Sequence, residues 1–384
     1  MANYLLMPLF NSTAIFRALI ISLLLGCSTT SDEPNVIPDP PPSNSIRTDF
    51  SGEIRSLSSQ ELVAEMGLGW NLGNSFDVTD RDKTVWGNPL PTSNQIFTVR
   101  QQGFRTLRIP VTWGFNQSEF APFTIDPSYL DKVQDVVNHG LRNGMHVIIN
   151  VHHDDDWIRP TEEDSERVQE RLGQLWTQVA ERFISYGDSL IFETLNEPRL
   201  KGSPEEWSGG TEEGRAVLND YHRSSLQAIR ETGGNNSRRH IMISTYAAST
   251  VQAAMDDLVI PNDDPNVIIS HHTYFPWEFT GQDGGRSQWG TVDDKEALNS
   301  ELDRIKDHWI NERGRAVILG EWGARDRSNE EVRIGYYDHY VSASLVRGML
   351  PIVWDDGGNF GLLDRNTLNW RFPEIVDALI DAGN

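Results

Sequence analysis

Two apolar runs in this chain each contain a glutamate followed by a residue that breaks a strand. Glu197 lies in residues 190–198 and Glu321 lies in residues 316–323. A carboxylate placed where a buried strand meets a loop is typical of the catalytic groups of an eight-stranded α/β barrel. Two such carboxylates that face one another can cleave a glycosidic bond, one as proton donor and one as nucleophile. The alternative is that both glutamates only end their strands.

The overall composition narrows the class of partner. The 384 residues carry a formal charge of −23, from 33 basic and 56 acidic residues. Because phosphate binding needs the opposite sign, this excess of acid argues against a nucleic-acid partner. A neutral polysaccharide meets no such objection. The twelve tryptophans and the hydrophobic fraction of 38% supply a core and leave aromatic rings for a binding cleft.

Strand-like apolar runs alternate with helical patterns along residues 51–384. Eight strands are predicted, at residues 66–71, 105–109, 146–150, 190–193, 240–244, 267–271, 316–320 and 351–354. This alternation predicts parallel strands joined by right-handed crossovers, and eight of them close most simply into a single (β/α)8 barrel domain, the TIM barrel. A doubly wound open sheet is the alternative, but no glycine-rich phosphate loop has the spacing to support it.

Polar and aromatic side chains follow most of these predicted strands. In a barrel of parallel strands, groups at the carboxyl ends meet on one rim, where active sites of this fold lie. The set that we expect there comprises Asn71, Arg108, His152, His153, Asn196, Glu197, His272, Tyr274, Glu321 and Trp354.

Seven segments of the chain resemble glycoside hydrolase family 5, and within it bacterial endo-β-1,4-glucanases, some of which act on xyloglucan or mixed-linkage glucan. These segments are residues 69–74, 86–89, 103–113, 191–199, 233–236, 320–324 and 361–365. The resemblance extends from about residue 55 to the C-terminus. It implies a retaining, endo-acting β-1,4-glucan hydrolase that uses two glutamates in a double displacement, with no cofactor and no metal.

The resemblance also implies roles for single residues. Glu197 is the general acid/base and Glu321 the nucleophile, with carboxyl groups about 5–5.5 Å apart in a retaining enzyme. We expect like-charge repulsion from Glu321 to keep Glu197 protonated. The expected substrate-binding residues are Asn71, Arg108, His152, His153, Asn196, His272, Tyr274 and Trp354, with Arg108 also holding Glu321 ionised, Asn196 bonding the sugar 2-OH and Trp354 stacking on a sugar. Further aromatic candidates for outer subsites are Trp113, Trp157, Trp277 and Trp322.

Two other classes of function remain open at this point. Residues 152–154 and 271–272 are histidine-rich and suggest a metal-dependent barrel hydrolase. Adjacent histidines on a strand point to opposite faces, however, so each pair would offer one ligand. Activity that persists in excess chelator would exclude this class. The other alternative is a glycan-binding surface protein without activity, which would release no shorter products from a soluble glucan.

The N-terminal residues predict an export signal and a lipid anchor. Arg17 precedes an apolar run too short to span a bilayer, so residues 1–26 are predicted to be a signal peptide. Residues 24–27 resemble the lipobox of bacterial lipoproteins, in which Cys27, the only cysteine, is lipidated. Ser28 after it favours the outer membrane. Residues 27–50 are rich in Pro, Ser and Asp and are predicted to be a flexible tether. We expect a monomer whose contact with the membrane is the lipid alone.

Overall fold

The computed structural model describes residues 50–384. The predicted signal peptide, Cys27 and all of the predicted tether except Phe50 lie outside the described residues. Within the described residues, no helix combines the length and the apolar character needed to cross a membrane.

Eight parallel strands form a closed barrel, as the alternating pattern predicted. Each strand pairs with the next along the chain, and β8 pairs with β1 to close the ring. The strands are β1 (Gly69–Asn71), β2 (Thr106–Ile109), β3 (His146–Asn150), β4 (Leu190–Glu193), β5 (Ile241–Ser244), β6 (Val267–His272), β7 (Val317–Trp322) and β8 (Met349–Val353). A small antiparallel pair, β9 (Leu363–Asp364) and β10 (Asn369–Trp370), follows the barrel.

Helices pack around the barrel in the intervals between the strands. They are α1 (Ser59–Met66), α2 (Ser93–Gln102), α3 (Pro127–Arg142), α4 (Glu162–Arg182), α5 (Glu212–Glu231), α6 (Gln252–Asp256), α7 (Trp277–Thr280), α8 (Val292–Lys306), α9 (Glu330–Leu345) and α10 (Pro373–Ala382). One prediction fails here, because residue 66 ends a helix instead of opening the first strand. Ser58 and Glu61 form a reciprocal capping box that starts this helix, and Gly67 at φ 63° ends it.

We call the end of the barrel formed by the amino ends of the strands its lower end. The lower part of the barrel is filled by apolar side chains and closed by α1. Leu62, Val63 and Met66 of that helix pack with inward-facing residues of the strands, namely Ile148, Ile191, Met242, Ile268, Ile318, Leu350 and Ile352. Side chains alternate along a strand, so the residue two positions further on also faces the barrel interior. Above this apolar layer the same alternation brings polar groups together, as Asn150 above Ile148 and Glu193 above Ile191 show.

Irregular pairing at the upper ends of β6 and β7 sets the direction of two functional side chains. The β6–β7 register shifts between His271 and His272, and the β7–β8 register shifts between Leu319 and Trp322. A shift of this kind re-aims the side chains beyond it. His272 and Glu321 become partners across β6 and β7 at this point, so both side chains stand at the same place on the rim.

Candidate active site

Glu321 is held at the top of β7 by hydrogen bonds to both of its carboxylate oxygens. Arg108 donates to Oε1 at 2.8 Å, and the hydroxyl of Tyr274 donates to Oε2 at 3.0 Å. The side chain is only 7% exposed. Hydrogen bonds to both oxygens hold the carboxylate in one orientation, which suits a nucleophile. The expected contacts of Arg108 and Tyr274 with this glutamate are therefore present.

Arg108 is fully buried and connects four acceptors. Besides Glu321, its guanidinium donates to Glu193 Oε2 at 2.7 Å, to Asn71 Oδ1 at 2.9 Å and to Asn196 Oδ1 at 2.8 Å. Burial opposes its charge, but the carboxylates of Glu193 and Glu321 outweigh that cost and raise the pKa of Arg108. A guanidinium supplies several donors in a fixed plane, so it can orient all four groups at once.

Glu193 is a functional residue that the sequence analysis missed. It is completely buried and also accepts bonds from Asn150 Nδ2 at 3.1 Å and Ser270 Oγ at 2.9 Å. It holds Arg108, which in turn bonds Glu321, and so fixes Glu321 indirectly. The signal was present in the sequence, because alternation along β4 places Glu193 inside the barrel, where a charge requires a partner.

The structure corrects the role expected for Asn71. Its amide nitrogen donates to the backbone oxygens of Gly320, Ile352 and Val353, and its oxygen accepts from Arg108. The side chain is fully buried. Since both ends of the amide are engaged inside the barrel, Asn71 positions Arg108 and does not face a substrate.

Asn196 precedes Glu197 and has one end of its side-chain amide engaged in a hydrogen bond. Its oxygen accepts from Arg108 at 2.8 Å, which leaves the NH2 group as a donor. Its backbone N–H donates to the oxygen of Val151, which fixes the start of the β4–α5 loop, residues 194–211. This geometry is consistent with the predicted contact to a sugar hydroxyl.

Glu197 follows β4 and pairs with His272. The two are joined by Oε1 and Nδ1 at 2.7 Å, and the glutamate side chain is 16% exposed, more than that of Glu321. Burial raises the pKa of Glu197, but the hydrogen bond and charge of His272 outweigh it and lower this pKa overall. Burial lowers the pKa of His272, and the charges of Glu321 and Glu197 raise it above its ordinary value.

These opposite shifts correct the prediction that repulsion from Glu321 would keep Glu197 protonated. A nearby imidazolium counts for more than the second carboxylate, because it lies 2.7 Å from Glu197. Both pKa shifts favour a carboxylate on Glu197 paired with an imidazolium on His272. Oε1 faces the imidazole, so Oε2 is the oxygen available to a substrate.

The spacing of the two carboxylates fits a retaining mechanism. One carboxylate oxygen of Glu197, one of Glu321 and a nitrogen of His272 all lie within 4.8 Å of one another. Inverting enzymes separate their carboxyl groups by about 6.5–9.5 Å to admit a water molecule between them. Oxygen atoms within 4.8 Å of one another fit the spacing of about 5–5.5 Å between the carboxyl groups of a retaining enzyme, in which the second carboxylate attacks the sugar itself.

His152, His153 and Trp354 lie on the rim beside the pair. The rings of His152 and Trp354 stack with an angle of 2° and centroids 5.9 Å apart, and His152 Nε2 is 3.9 Å from Glu321. Burial, followed by the charges of His153 and Arg108, lowers the pKa of His152 well below its ordinary value, so this imidazole is neutral. Trp354 is 8% exposed and directly follows β8, and its role as a sugar platform stays a prediction.

The two histidine pairs behave differently, which corrects one expectation. His152 and His153 lie close together, with ring centroids 4.3 Å apart, and both lie near the buried Asp77. Strand alternation does not separate them because β3 ends at Asn150. His271 and His272 do diverge. His271 points outward and accepts from Trp309 Nε1, whereas His272 enters the site.

Most of the further aromatic candidates belong to the core. Trp113, Trp157 and Trp322 are at most 7% exposed, and Trp322 stacks on Tyr340 at 4.0 Å. Trp277 is 56% exposed and lies edge-on to Tyr274. Two exposed tryptophans in loops after the strands were not among the predicted subsite residues: Trp86, which begins the family-like segment 86–89 and is 42% exposed, and Trp207, which is 59% exposed.

The network around Arg108 gives a first testable prediction. Arg108→Lys keeps the charge but cannot serve four acceptors, so we expect kcat to fall about 10²-fold or more. The matched control is Arg239→Lys, because Arg239 is equally buried but bonds backbone oxygens such as those of Gly187 and Leu190. Steady-state kinetics and the free energy of unfolding should be measured together. An unchanged kcat in Arg108→Lys, or an equal loss in the control, would contradict the assignment.

Comparisons with known proteins agree with this site. The family model for cellulase, glycosyl hydrolase family 5, matches residues 71–359. The chain is 44% identical over 334 residues to the cellulase/esterase CelE of Acetivibrio thermocellus, covering 85% of this chain and 41% of that protein's length. It is 41% identical over 346 residues to endoglucanase A of Ruminococcus albus, covering 86% of this chain and 94% of that one.

Solved structures of similar proteins point to the same family. The cellotriose complex of ZgEngAGH5_4 has a TM-score of 0.85 and 51% identity, covering 86% of this chain and all of that one. A broad-specificity GH5-4 endoglucanase from Clostridium acetobutylicum has a TM-score of 0.83 and 43% identity, covering 84% of this chain and 99% of that one. This chain therefore belongs to glycosyl hydrolase family 5.

Proposed function

We propose that this protein is a retaining endo-β-1,4-glucanase with Glu321 as nucleophile and Glu197 as general acid/base. The observation that carries the proposal is the pair of carboxylates within 4.8 Å of one another, each with different partners. Arg108 and Tyr274 donate hydrogen bonds to the carboxylate of Glu321, while the carboxylate of Glu197 is paired with His272. Two carboxylates in unlike surroundings can divide the nucleophilic and the acidic roles.

The first half of the reaction forms a glycosyl-enzyme. A carboxylate oxygen of Glu321 bonds to the anomeric carbon while the bond from that carbon to the leaving oxygen breaks. Glu197 gives its proton to the leaving oxygen, so the shortened chain departs as a neutral alcohol. Asn196 is placed to donate its NH2 group to the 2-OH, a bond that strengthens in the transition state.

The second half releases the sugar. Glu197, now a carboxylate, takes a proton from a water molecule as the water oxygen bonds to the anomeric carbon. The bond from that carbon to Glu321 breaks, and the nucleophile returns to its carboxylate form. Two inversions leave the product with the β configuration of the substrate.

The substrate class is argued from the relatives. ZgEngAGH5_4 binds cellotriose, and the proteins from Clostridium acetobutylicum and Clostridium longisporum are broad-specificity endoglucanases. We infer an internally cut β-1,4-glucan, with xyloglucan and mixed-linkage glucan as further candidates. The test measures viscosity and new reducing ends on a soluble cellulose derivative, xyloglucan, mixed-linkage glucan and mannan. A viscosity that falls early on the glucans supports the proposal, whereas no product, or release from chain ends only, would overturn it.

We further propose that the protein is a monomeric outer-membrane lipoprotein anchored through Cys27. The support is the apolar run before Gly26, the lipobox-like residues 24–27 and the polar residues that follow. Deleting residues 1–49 should release the enzyme from membranes with its kcat unchanged, because the described domain begins after them. Membrane fractionation with an activity assay checks this, and Cys27→Ser is the matched point variant. Continued membrane association of the truncated protein would contradict the anchor.

A further inference from the structure

One arginine beside the catalytic acid has no role in the reaction described above. Arg199 follows Glu197 by two residues in the β4–α5 loop and is 8% exposed. Its Nη1 donates to the backbone oxygen of Glu197 at 2.9 Å and lies 3.8 Å from Oε2 of the same residue. Oε2 is the oxygen that His272 leaves for the substrate. A fixed positive charge therefore lies beside the atom that transfers the proton.

Acidic groups from two loops hold the guanidinium of Arg199 in place. Its Nε donates to Glu206 Oε1 at 3.1 Å, and Glu206 Oε2 accepts from the backbone N–H of Gly202 at 2.8 Å. Its Nη1 also lies 3.5 Å from Asp155 Oδ1 in the loop after β3. Charge-assisted bonds in several directions fix the plane of a guanidinium.

Arg199 also supports an exposed indole ring. Its guanidinium carbon lies 4.4 Å from the centre of the Trp207 ring, within the range of a cation–π interaction. Trp207 is 59% exposed, so much of the indole remains open to solvent. An indole fixed from one side and open on the other can receive the apolar C–H face of a pyranose.

We propose that Arg199 is a positioning residue that couples the catalytic acid to Trp207, and that Trp207 stacks on a sugar of the leaving group. We place this sugar on the leaving-group side because Arg199 contacts both Trp207 and Glu197, the residue that protonates the leaving oxygen. Trp354, which would stack on the reacting sugar, lies beside His152 instead. The inference rests on the proposed function and adds a leaving-group contact to it.

The charge of Arg199 should influence the pH dependence of kcat/KM in a definite direction. Burial raises the pKa of Glu197, whereas the bond and charge of His272 and then the charge of Arg199 lower it. Removing the arginine's charge should keep Glu197 protonated to higher pH. The basic limb of kcat/KM, which belongs to the Glu197–His272 pair, should then move upward by about one pH unit.

The experiment uses three variants of the full chain and two substrates. Cellopentaose places sugars beyond the scissile bond, and an aryl cellobioside has none there. Trp207→Ala should lower kcat/KM about tenfold on cellopentaose, little on the aryl glycoside, and leave the pH profile unmoved. Arg199→Met should cause the same loss on cellopentaose and also raise the basic limb. In Arg199→Lys the basic limb should return to its wild-type position, because lysine keeps the charge. The kcat/KM on cellopentaose should stay low, because lysine lacks the planar group that contacts Trp207.

The matched control is Arg171→Met. Arg171 lies 4.1 Å from the ring of Trp157 and donates to Gln117, so it forms a similar cation–π pair without contacting Glu197. Arg171→Met should change neither the basic limb of kcat/KM nor the ratio of kcat/KM between cellopentaose and the aryl cellobioside. An unmoved basic limb in Arg199→Met, or equal effects of Trp207→Ala on both substrates, would overturn the inference. Should Arg199→Met fail to fold, the lysine and Trp207 variants decide. A wild-type enzyme inactive on every glucan would instead overturn the proposed function itself.

Discussion

Glu321→Ala should lower kcat on a β-glucan by at least about 10⁴-fold, and added azide should partly restore cleavage of an activated aryl cellobioside. Alanine leaves a space between Arg108 and Tyr274 where the carboxylate stood, and both donors remain to hold a small anion there. Azide would attack the anomeric carbon from that face while the aryl group departs. A single inversion gives an α-linked glycosyl azide, which proton NMR identifies.

Glu321→Gln is the matched control for the azide experiment. It keeps the size of the side chain and removes the charge, so it should be equally inactive and azide should not rescue it. A β-linked azide from Glu321→Ala would place the nucleophile on the other face of the sugar and contradict the assignment. Rescue of the glutamine variant would show that the anion acts elsewhere.

Glu197→Gln should separate substrates by their leaving group. For a cello-oligosaccharide the leaving alkoxide needs a proton, so kcat/KM should fall by about 10²–10⁴-fold. A dinitrophenyl cellobioside has a leaving group stable as an anion, so its kcat/KM should change by less than about tenfold. Because no base then activates water, the glycosyl-enzyme should accumulate and give a burst of phenolate.

The control for this variant is Glu205→Gln, a partly exposed glutamate of the same loop. It should retain wild-type kinetics on both substrates. Equal losses of kcat/KM on both substrates in Glu197→Gln would show that Glu197 is not the acid. Stopped-flow measurement of the burst would then show whether a covalent intermediate forms at all.

The barrel could be predicted from the sequence because each buried parallel strand is an apolar run followed by residues that end a strand. The errors fall where local chemistry overrides that pattern. Residue 66 looked like the start of a strand, yet it is the last residue of the helix that Ser58 and Glu61 cap and that Gly67 ends. The irregular register beside His272 and Glu321 could not be predicted, since pairing register depends on neighbouring strands and not on local composition.

The site was predicted more completely for charged residues than for aromatic and supporting ones. Glu197, Glu321 and Arg108 were proposed from the sequence because the family resemblance implies a role for each of them. A tryptophan can belong either to a core or to a binding cleft. Only the exposure seen in the structure separates the buried Trp322 from the exposed Trp207. Glu193 was missed because it has no contact with the substrate side and acts only through Arg108.

The most direct test of the central claim follows the stereochemistry of wild-type hydrolysis. Proton NMR of the anomeric protons in the first minutes, before mutarotation, reports the configuration of the new reducing end. Carboxylates within 4.8 Å of one another predict that the β anomer appears first. The α anomer appearing first would require a water molecule between Glu197 and Glu321, and would contradict the account.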